Sequence, residues 1–368
     1  MSTFERLRVG MFVMPIHDPQ KSLVQCIDED LELALDCEEL GFDDFWVGEH
    51  HSSSIENIVM PELFLAKVLG QTQRIRVGPA PVCLQYHHPA HVAGRLAFLD
   101  HLSHGRLNVC FGPGSIPTDM EVFGVEPSEV GARVAESIDM ILRMWTGELP
   151  LDMHGQFWSI RMKDRLRPEF GVGWLHRPFQ LPHPPVYVPT TSRSSPGLKA
   201  AAQRGFRFIS HHMLHESVLR EQWTAYAEAA AAAGRTVRPS DWAVARNIFV
   251  ADSTEEARRR ARSNSLGRCI QYILDLTRAI APQGVAPWKR NPEQADAECN
   301  LDYFMDEVII AGDPAHVAQQ ILELRQRSGP FGTLILTAHD WDDRQSWQRS
   351  LELFAHEVFP AVNRQLAR

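Results

Sequence analysis

The sequence predicts an α/β fold, a single (β/α)8 TIM barrel with insertions over its C-terminal face. Short β-rich runs alternate with longer amphipathic stretches from the start of the chain to Pro150, the rhythm of βα units around a parallel sheet. Eight such runs, each trailed by helical pattern, favour closure into a barrel over an open doubly wound sheet. The 368 residues exceed one ordinary domain but suit one barrel, 1–368, that carries insertions.

Arg8 to Val13 (RVGMFV) reads as the first strand. It belongs to an apolar run from Val9 to Ile16 that Pro15 interrupts and no small-residue cleavage site follows, so a strand is expected there. Leu23 to Leu40 aligns Leu23, Ile27, Leu31, Ala34 and Leu35 on one helical stripe, stopped by Gly41. Asp44 to Gly48 is the second strand, Pro61 to Gly70 the second helix, and Ile75 to Leu84 contains the third strand. Pro89 to His101 is the third helix and Arg106 to Phe111 the fourth strand. Val130 to Trp145 is helical, and the Pro- and Arg-rich connection 161–185 is too long for an ordinary turn, so it is expected to drape over the barrel. Val186 to Pro189 is the fifth strand, with a helix from Pro196 to Gln203. Phe206 to Ser210 is the sixth, followed by an Ala-rich helix from Glu216 to Ala233. Trp242 to Val250 is the seventh, and Ser253 with Glu256 forms a capping box for the next helix. Thr333 to Thr337 is the eighth, and Trp347 to Leu366 closes the chain. Residues 268–302 break the count: Pro282, Gly284, Pro287 and Pro292 mark an insertion over the barrel mouth, a mobile lid or a plain loop.

Hydrophobic residues at 44% and charged residues at 23% supply an ordinary globular core. Lys and Arg number 37 against 46 Asp and Glu, and the net charge of −9 is spread without a basic stripe, which argues against a nucleic-acid partner. The 6 cysteines show neither CxxC nor zinc spacing, a pattern that suits a reducing cytoplasm. No stretch approaches the roughly 20 apolar residues of a membrane span, so no membrane association is expected.

Walker, GxGxxG and HExxH motifs are missing, which leaves the C-terminal ends of strands as the place for chemistry. Glu49, His50 and His51 follow the second strand, and alternation sends only one of the two histidines toward the mouth. His87, His88, His211, His212 and His339 follow other strands and keep a barrel metallohydrolase open as an alternative. Ala80 and Pro81 mark a bulge or kink with an inexpensive cis bond, or simply the end of a strand. Gly112, Pro113, Gly114 and Ser115 allow a flat ligand to approach the backbone, or make a tight turn. Thr190, Thr191, Ser192, Arg193, Ser194, Ser195, Pro196 and Gly197 combine hydroxyls, a guanidinium and a helix N-terminus into a phosphate site, or an N-cap with spare serines. Trp158, Trp174, Phe179 and Trp341 suit a bulky apolar ligand, or packing.

The strings GFDDFWVGEHH, LQYHHPAHVAGRLAFLDHLSHGRL and TTSRSSPGLKAAAQRG resemble the luciferase-like flavin monooxygenases over nearly the whole chain. EHHSSSIENIVMPELF, GPGSIPTDMEVFG and NIFVADSTEEARRRAR are similar to the limonene-monooxygenase and diketocamphane-monooxygenase branch of that family. The resemblance implies reduced FMN (FMNH2) with O2 as co-substrate and, through a C4a-peroxyflavin, insertion of one oxygen atom into a bulky apolar substrate. A cyclic ketone (Baeyer–Villiger), a terpene or a polyketide would qualify. It also implies a homodimer and a separate NAD(P)H-flavin reductase, since no nicotinamide site is visible. By resemblance His50 is the active-site histidine, with Glu49 beside it, and Ala80 with Pro81 forms a cis peptide behind the flavin ring. Ser194 holds the phosphate among Thr191, Ser192, Arg193, Ser195 and Gly197, with Gly112 and Gly114 beside the cofactor. Where luciferases carry a reactive cysteine followed by an arginine, this chain has Gly112 and Pro113. Light emission is therefore not expected, and Arg193 is left to supply the positive charge. An F420-dependent oxidoreductase and a non-catalytic flavin-binding barrel remain as alternatives.

Overall fold

The computed structural model describes residues 6–14 and 16–368, so Pro15 lies outside the described residues. The strands anticipated from sequence are present as β1 (Arg8–Val13), β2 (Asp44–Val47), β3 (Arg76–Pro79), β4 (Val109–Gly112), β5 (Val186–Thr190), β6 (Arg207–Ser210), β7 (Trp242–Arg246) and β8 (Thr333–Ala338). The chain folds as two compact units, one containing residues up to Trp46 and from Val188 onward, the other running from Val47 to Tyr187.

In the first unit the strands pair in parallel. β1 lies along β8 from Arg8↔Thr333 to Val13↔Ala338, β7 along β8 up to Arg246↔Leu336, and β6 along β7 up to Ser210↔Val244. One face of this sheet packs on the helix Glu216–Ala232: the Trp242 indole stacks on Trp223 at 5.2 Å and donates to Ser210 Oγ, which donates to Gln222 Oε1. Because side chains alternate along a strand, Trp242, Val244 and Arg246 share that helix-covered face, while Ala243, Ala245 and the following Asn247 turn the other way. The register carries the second set across to Ile335 and Thr337, and by alternation to His339.

The second unit pairs the short strand Val82–Cys83 with β4, and β4 with the start of β5 through Val109↔Val186 and Cys110↔Tyr187, all in parallel. An antiparallel hairpin, Leu151–His154 with Ser159–Met162, precedes the connection 161–185. Its turn is held by the Glu136 carboxylate, which accepts N–H bonds from Gln156, Phe157 and Trp158.

Several expectations are corrected. The first helix, Leu23–Glu39, buries Cys26, Asp30, Leu31, Leu33, Ala34 and Cys37, whereas Leu23 is 52% exposed. Leu31 and Ala34 of the expected stripe are buried and Ile27 and Leu35 half-buried, and the buried face extends to an acid, Asp30, bound to His17 Nε2 at 3.1 Å, which hydrophobicity alone does not mark. The third strand stops at Pro79 and resumes at Val82, since Pro81 has no N–H for a ladder. The fourth begins at Val109 instead of Arg106, whose guanidinium donates to carbonyls of Thr72, Ile75 and Ser103. The seventh splits at Asn247: Ile248–Val250 pairs with Ile310–Gly312, a strand the sequence reading missed. The helix Pro314–Ser328 was missed as well. Within 268–302 the chain continues a helix, Ser265–Ile280, that buries Leu266, Cys269, Ile270, Ile273 and Leu274, before single turns at Ala286–Trp288 and Asp296–Glu298. The closing helix starts at Arg344 and passes through a π turn, Phe354–Val358, beside Pro360.

Candidate active site

The second unit holds a charged network at the end of β2. Glu49 is 2% exposed. Its Oε1 accepts from His51 Nε2 at 2.8 Å and His87 Nε2 at 2.7 Å, and its Oε2 accepts the Cys83 N–H at 3.1 Å. Burial alone would raise its pKa, but the hydrogen bonds from the two imidazoles hold it down at about 2. Glu49 is thus a fixed carboxylate that orients two histidines, three of its acceptor positions being taken by the two imidazoles and the Cys83 N–H. The Arg95 guanidinium, 3.5 Å from His87 Nδ1 and paired with Glu62 at 2.8 Å, makes Nδ1 the acceptor and Nε2 the donor of that ring. Glu49, His51 and His87 stand close enough to share a cation, but each imidazole already donates to the carboxylate, and the Arg95 charge opposes a second positive centre.

His50 belongs to a different pair. Its Nε2 lies 2.9 Å from Glu56 Oε2, and its Nδ1 lies 3.9 Å from Asp119 Oδ2. Burial works to lower its pKa, but the hydrogen bond and charge of Glu56, with Asp119 and Glu49 behind, raise it above the ordinary imidazole value. Asp119, from the helix Pro117–Val122, also accepts the His51 N–H at 3.2 Å and the Ser52 hydroxyl. Neither histidine sits within a strand, so strict alternation does not govern them: both are partly buried, and each has its own carboxylate. The Ala80–Pro81 peptide is cis, and the Ala80 N–H donates to Val47 O at 2.7 Å. What approaches Gly114 closely is a ring of the protein itself: a Cβ there would stand 2.7 Å from Tyr86 Oη and 3.0 Å from Gln85 Nε2. Gly112 ends β4, in register with Cys83.

In the first unit, the segment after β5 is tied to the helix Glu216–Ala232 through Gln222 Nε2, which donates to Ser192 O at 2.7 Å. Ser195 caps the helix Pro196–Arg204 by accepting the Leu198 N–H at 3.1 Å. Thr191, Ser194 and Gly197 are exposed, and the space around Gly197 is open. The Arg193 guanidinium is already engaged: it pairs with Glu221 at 2.6 Å and donates to the carbonyls of Lys289 and Arg290. The exposed hydroxyls of Thr191 and Ser194 and the helix N-terminus are donors of this segment that suit an anionic phosphate.

The other face of the first-unit sheet ends in a neutral polar group. Asn247 Nδ2 donates to His212 Nδ1 at 2.6 Å, and His211 stacks beside His212 at 4.4 Å. Burial, with His211 and His339 nearby, lowers the His212 pKa well below normal, and burial brings His339 to about 4. Sequence reasoning flagged His212 and His339 but missed Asn247, Thr337, Glu56 and Asp119. A polar pair, Arg246–Asn247, inside the otherwise apolar seventh run was the available signal. Arg246 itself lies on the helix-covered face, where burial lowers it to about 10.

Of the aromatic residues suggested for a bulky ligand, Trp158, Phe179 and Trp341 each pack on a neighbour in their own unit. Trp158 meets His88 at 5.2 Å and Phe179 meets His101 at 5.8 Å, whereas Trp341 lies under Arg344. Trp174 lines a surface groove of about 440 Å³ with Phe98, Met144 and Trp145.

Parallel strands alternating with helices, with titratable side chains collected just beyond the strands' C-terminal ends, define an α/β TIM-barrel enzyme. Residues 7–330 match the luciferase-like monooxygenase family, and the chain belongs to it. It is 35% identical over 370 residues to 4-hydroxyprotoasukamycin monooxygenase of Streptomyces nodosus subsp. asukaensis, covering 98% of this chain and 93% of that protein. It is 32% identical over 365 residues to limonene 1,2-monooxygenase of Rhodococcus erythropolis, covering 98% and 88%. Among solved structures it is similar to the oxygenating constituent of 3,6-diketocamphane monooxygenase of Pseudomonas putida, a type II Baeyer–Villiger monooxygenase in complex with FMN. That match has a TM-score of 0.86 and 29% identity, and covers 96% of this chain and 98% of the other.

Proposed function

We propose that this flavin-dependent monooxygenase is the oxygenase half of a two-component system: it takes reduced FMN from a separate NAD(P)H-flavin reductase and inserts one oxygen atom of O2 into a bulky apolar substrate. A cyclic ketone, a terpene and a polyketide are the candidates, in keeping with the relatives named above. When bound, FMN supplies the activation of oxygen. The protein's own part is to hold the cofactor, exclude water and control a proton. Ser194 and the first turn of the helix Pro196–Arg204 take the phosphate, with Thr191, Ser192, Ser195 and Gly197 shaping the segment and Arg193 bracing it. Ala80, Pro81, Gly112 and Gly114 are assigned to the ring.

The observation that carries the reading is His50, a partly buried imidazole kept toward its protonated form by Glu56 at 2.9 Å. A proton held there decides whether the activated oxygen attacks as a nucleophile or as an electrophile. Glu49 acts as a positioning residue for His51 and His87. We expect His50→Ala to bind FMN as before while product formed per NADH drops at least tenfold and hydrogen peroxide rises, scored with a reductase, 18O2 and a panel of cyclic ketones and terpenes. Unchanged coupling in that variant would remove His50 from the reaction.

The family resemblance implies a homodimer, which sedimentation velocity checks; a monomer at micromolar concentration rejects it. All 6 cysteines are free and buried, which suits a reducing cytoplasm, and among the described residues no helix is long and apolar enough to cross a membrane.

A further inference from the structure

The neutral group beyond β6, β7 and β8 has hydrogen-bonding capacity that the protein leaves unused. His212 Nε2, Asn247 Oδ1, Thr337 Oγ1 and both ring nitrogens of His339 are buried and have no partner among the described residues. Native interiors seldom strand so many polar atoms together, since each costs about 1–3 kcal/mol when left unpaired. The four residues are 1%, 0%, 3% and 6% exposed, so bulk water does not satisfy them.

They also share one row. Arg246 pairs with Leu336, which sets Asn247 level with Thr337 on adjacent strands, and neighbouring strands lie about 4.8 Å apart. His212 is bonded to Asn247, and His339 is two residues beyond Thr337 on the same face. The available roles follow from the bonds already made. His212 Nδ1 accepts from Asn247, so its Nε2 carries the proton and is a free donor, while Asn247 Oδ1 is a free acceptor. Thr337 and His339 each add one donor and one acceptor capacity. The row itself holds no carboxylate, and both its histidines are held neutral by burial. The Arg246 guanidinium on the opposite face, which also acts against protonation of His212, is the charge beside it, and the row's own unpaired atoms are uncharged donors and acceptors.

We propose that His212, Asn247, Thr337 and His339 form a recognition site for the uncharged oxygenated edge of a bound molecule, one that places a carbonyl acceptor beside an O–H or N–H donor. Two molecules of the monooxygenase reading on which this rests carry such an edge: the imide of the flavin ring, and a substrate with a hydroxyl next to its ketone. A purely hydrocarbon ligand would leave all five atoms stranded.

Asn247→Leu and Thr337→Val remove the free acceptor and the hydroxyl with little change in size. Two probes separate the sources: oxidised FMN, followed by quenching of its fluorescence, and 2-hydroxycyclohexanone against cyclohexanone, followed by saturation-transfer NMR. We expect at least tenfold weaker binding of one probe in both variants. Loss confined to FMN assigns the row to the flavin imide, and loss confined to the hydroxyketone assigns it to the substrate. Variants that fold and bind both probes as the unchanged protein does overturn the proposal, as does an unchanged protein that binds neither. If the unchanged protein binds hydroxyketone but no FMN, the flavin reading fails while this site stands or falls on the hydroxyketone arm.

Discussion

In the second unit the charged groups beyond β2 are paired with one another, whereas in the first a row of neutral polar atoms is left open. Around Glu49 and His50 nearly every charge has an opposite charge within hydrogen-bond reach. Along Asn247 and Thr337 lie neutral atoms, Asn247 Oδ1, His212 Nε2 and Thr337 Oγ1, that have no partner among the described residues. The difference follows from what each can tolerate. A buried charge without a partner costs several kcal/mol, so charged residues persist only as a network that fixes geometry and proton positions. A buried neutral group without a partner costs less, so it can be held ready for a ligand.

The contrast can be broken most sharply at Glu49. Glu49→Leu strands two imidazoles and the Cys83 N–H, and should lower unfolding free energy by about 3–5 kcal/mol in urea titration. A loss below about 1 kcal/mol would mean that the network is not a unit. A smaller effect is expected at Glu56. The folded pKa of His50 lies above 6.5, so the stabilisation from its pairing is complete below about pH 6.5 and is lost as pH rises through the folded value. In Glu56→Gln the burial that opposes protonation is no longer offset by the Glu56 hydrogen bond and charge, and the His50 midpoint, followed by NMR, should move down. An unmoved midpoint would reassign the shift to Asp119. The smallest effect belongs to the open row. Thr337→Val should change stability by less than about 1 kcal/mol, and in the stabilising direction, because it removes an unpaired buried hydroxyl without opening a cavity. A clear destabilisation would show that the hydroxyl is satisfied in solution, and would place Thr337 with the closed network.

The positions of β1 to β8 were legible because each is a short apolar β-rich run bounded by turn residues, and β1 matches its expected limits residue for residue, whereas Ile310–Gly312 and the hairpin Leu151–His154 with Ser159–Met162 were not read. The helix Ser265–Ile280 was not, because prolines and glycines beyond it dominated the reading of 268–302. At the candidate site, Glu49, His50 and the Ser192–Ser195 segment stood out because each follows a strand. Glu56 and Asp119 did not: a carboxylate in a surface-like string carries no mark of the histidine it will face, and Asp119 lies 68 residues from the His51 N–H it accepts.

By itself, then, the sequence determined the alternation of strands and helices, the position of polar residues at strand ends and the family resemblance, since these depend on spacing along the chain. Only the tertiary structure decided which charges meet. It paired His50 with Glu56, and His51 and His87 with Glu49, engaged Arg193 with Glu221, and left Asn247 and Thr337 open. Pairing and burial are properties of packing between segments remote in sequence, and a one-dimensional pattern contains the partners without their distances.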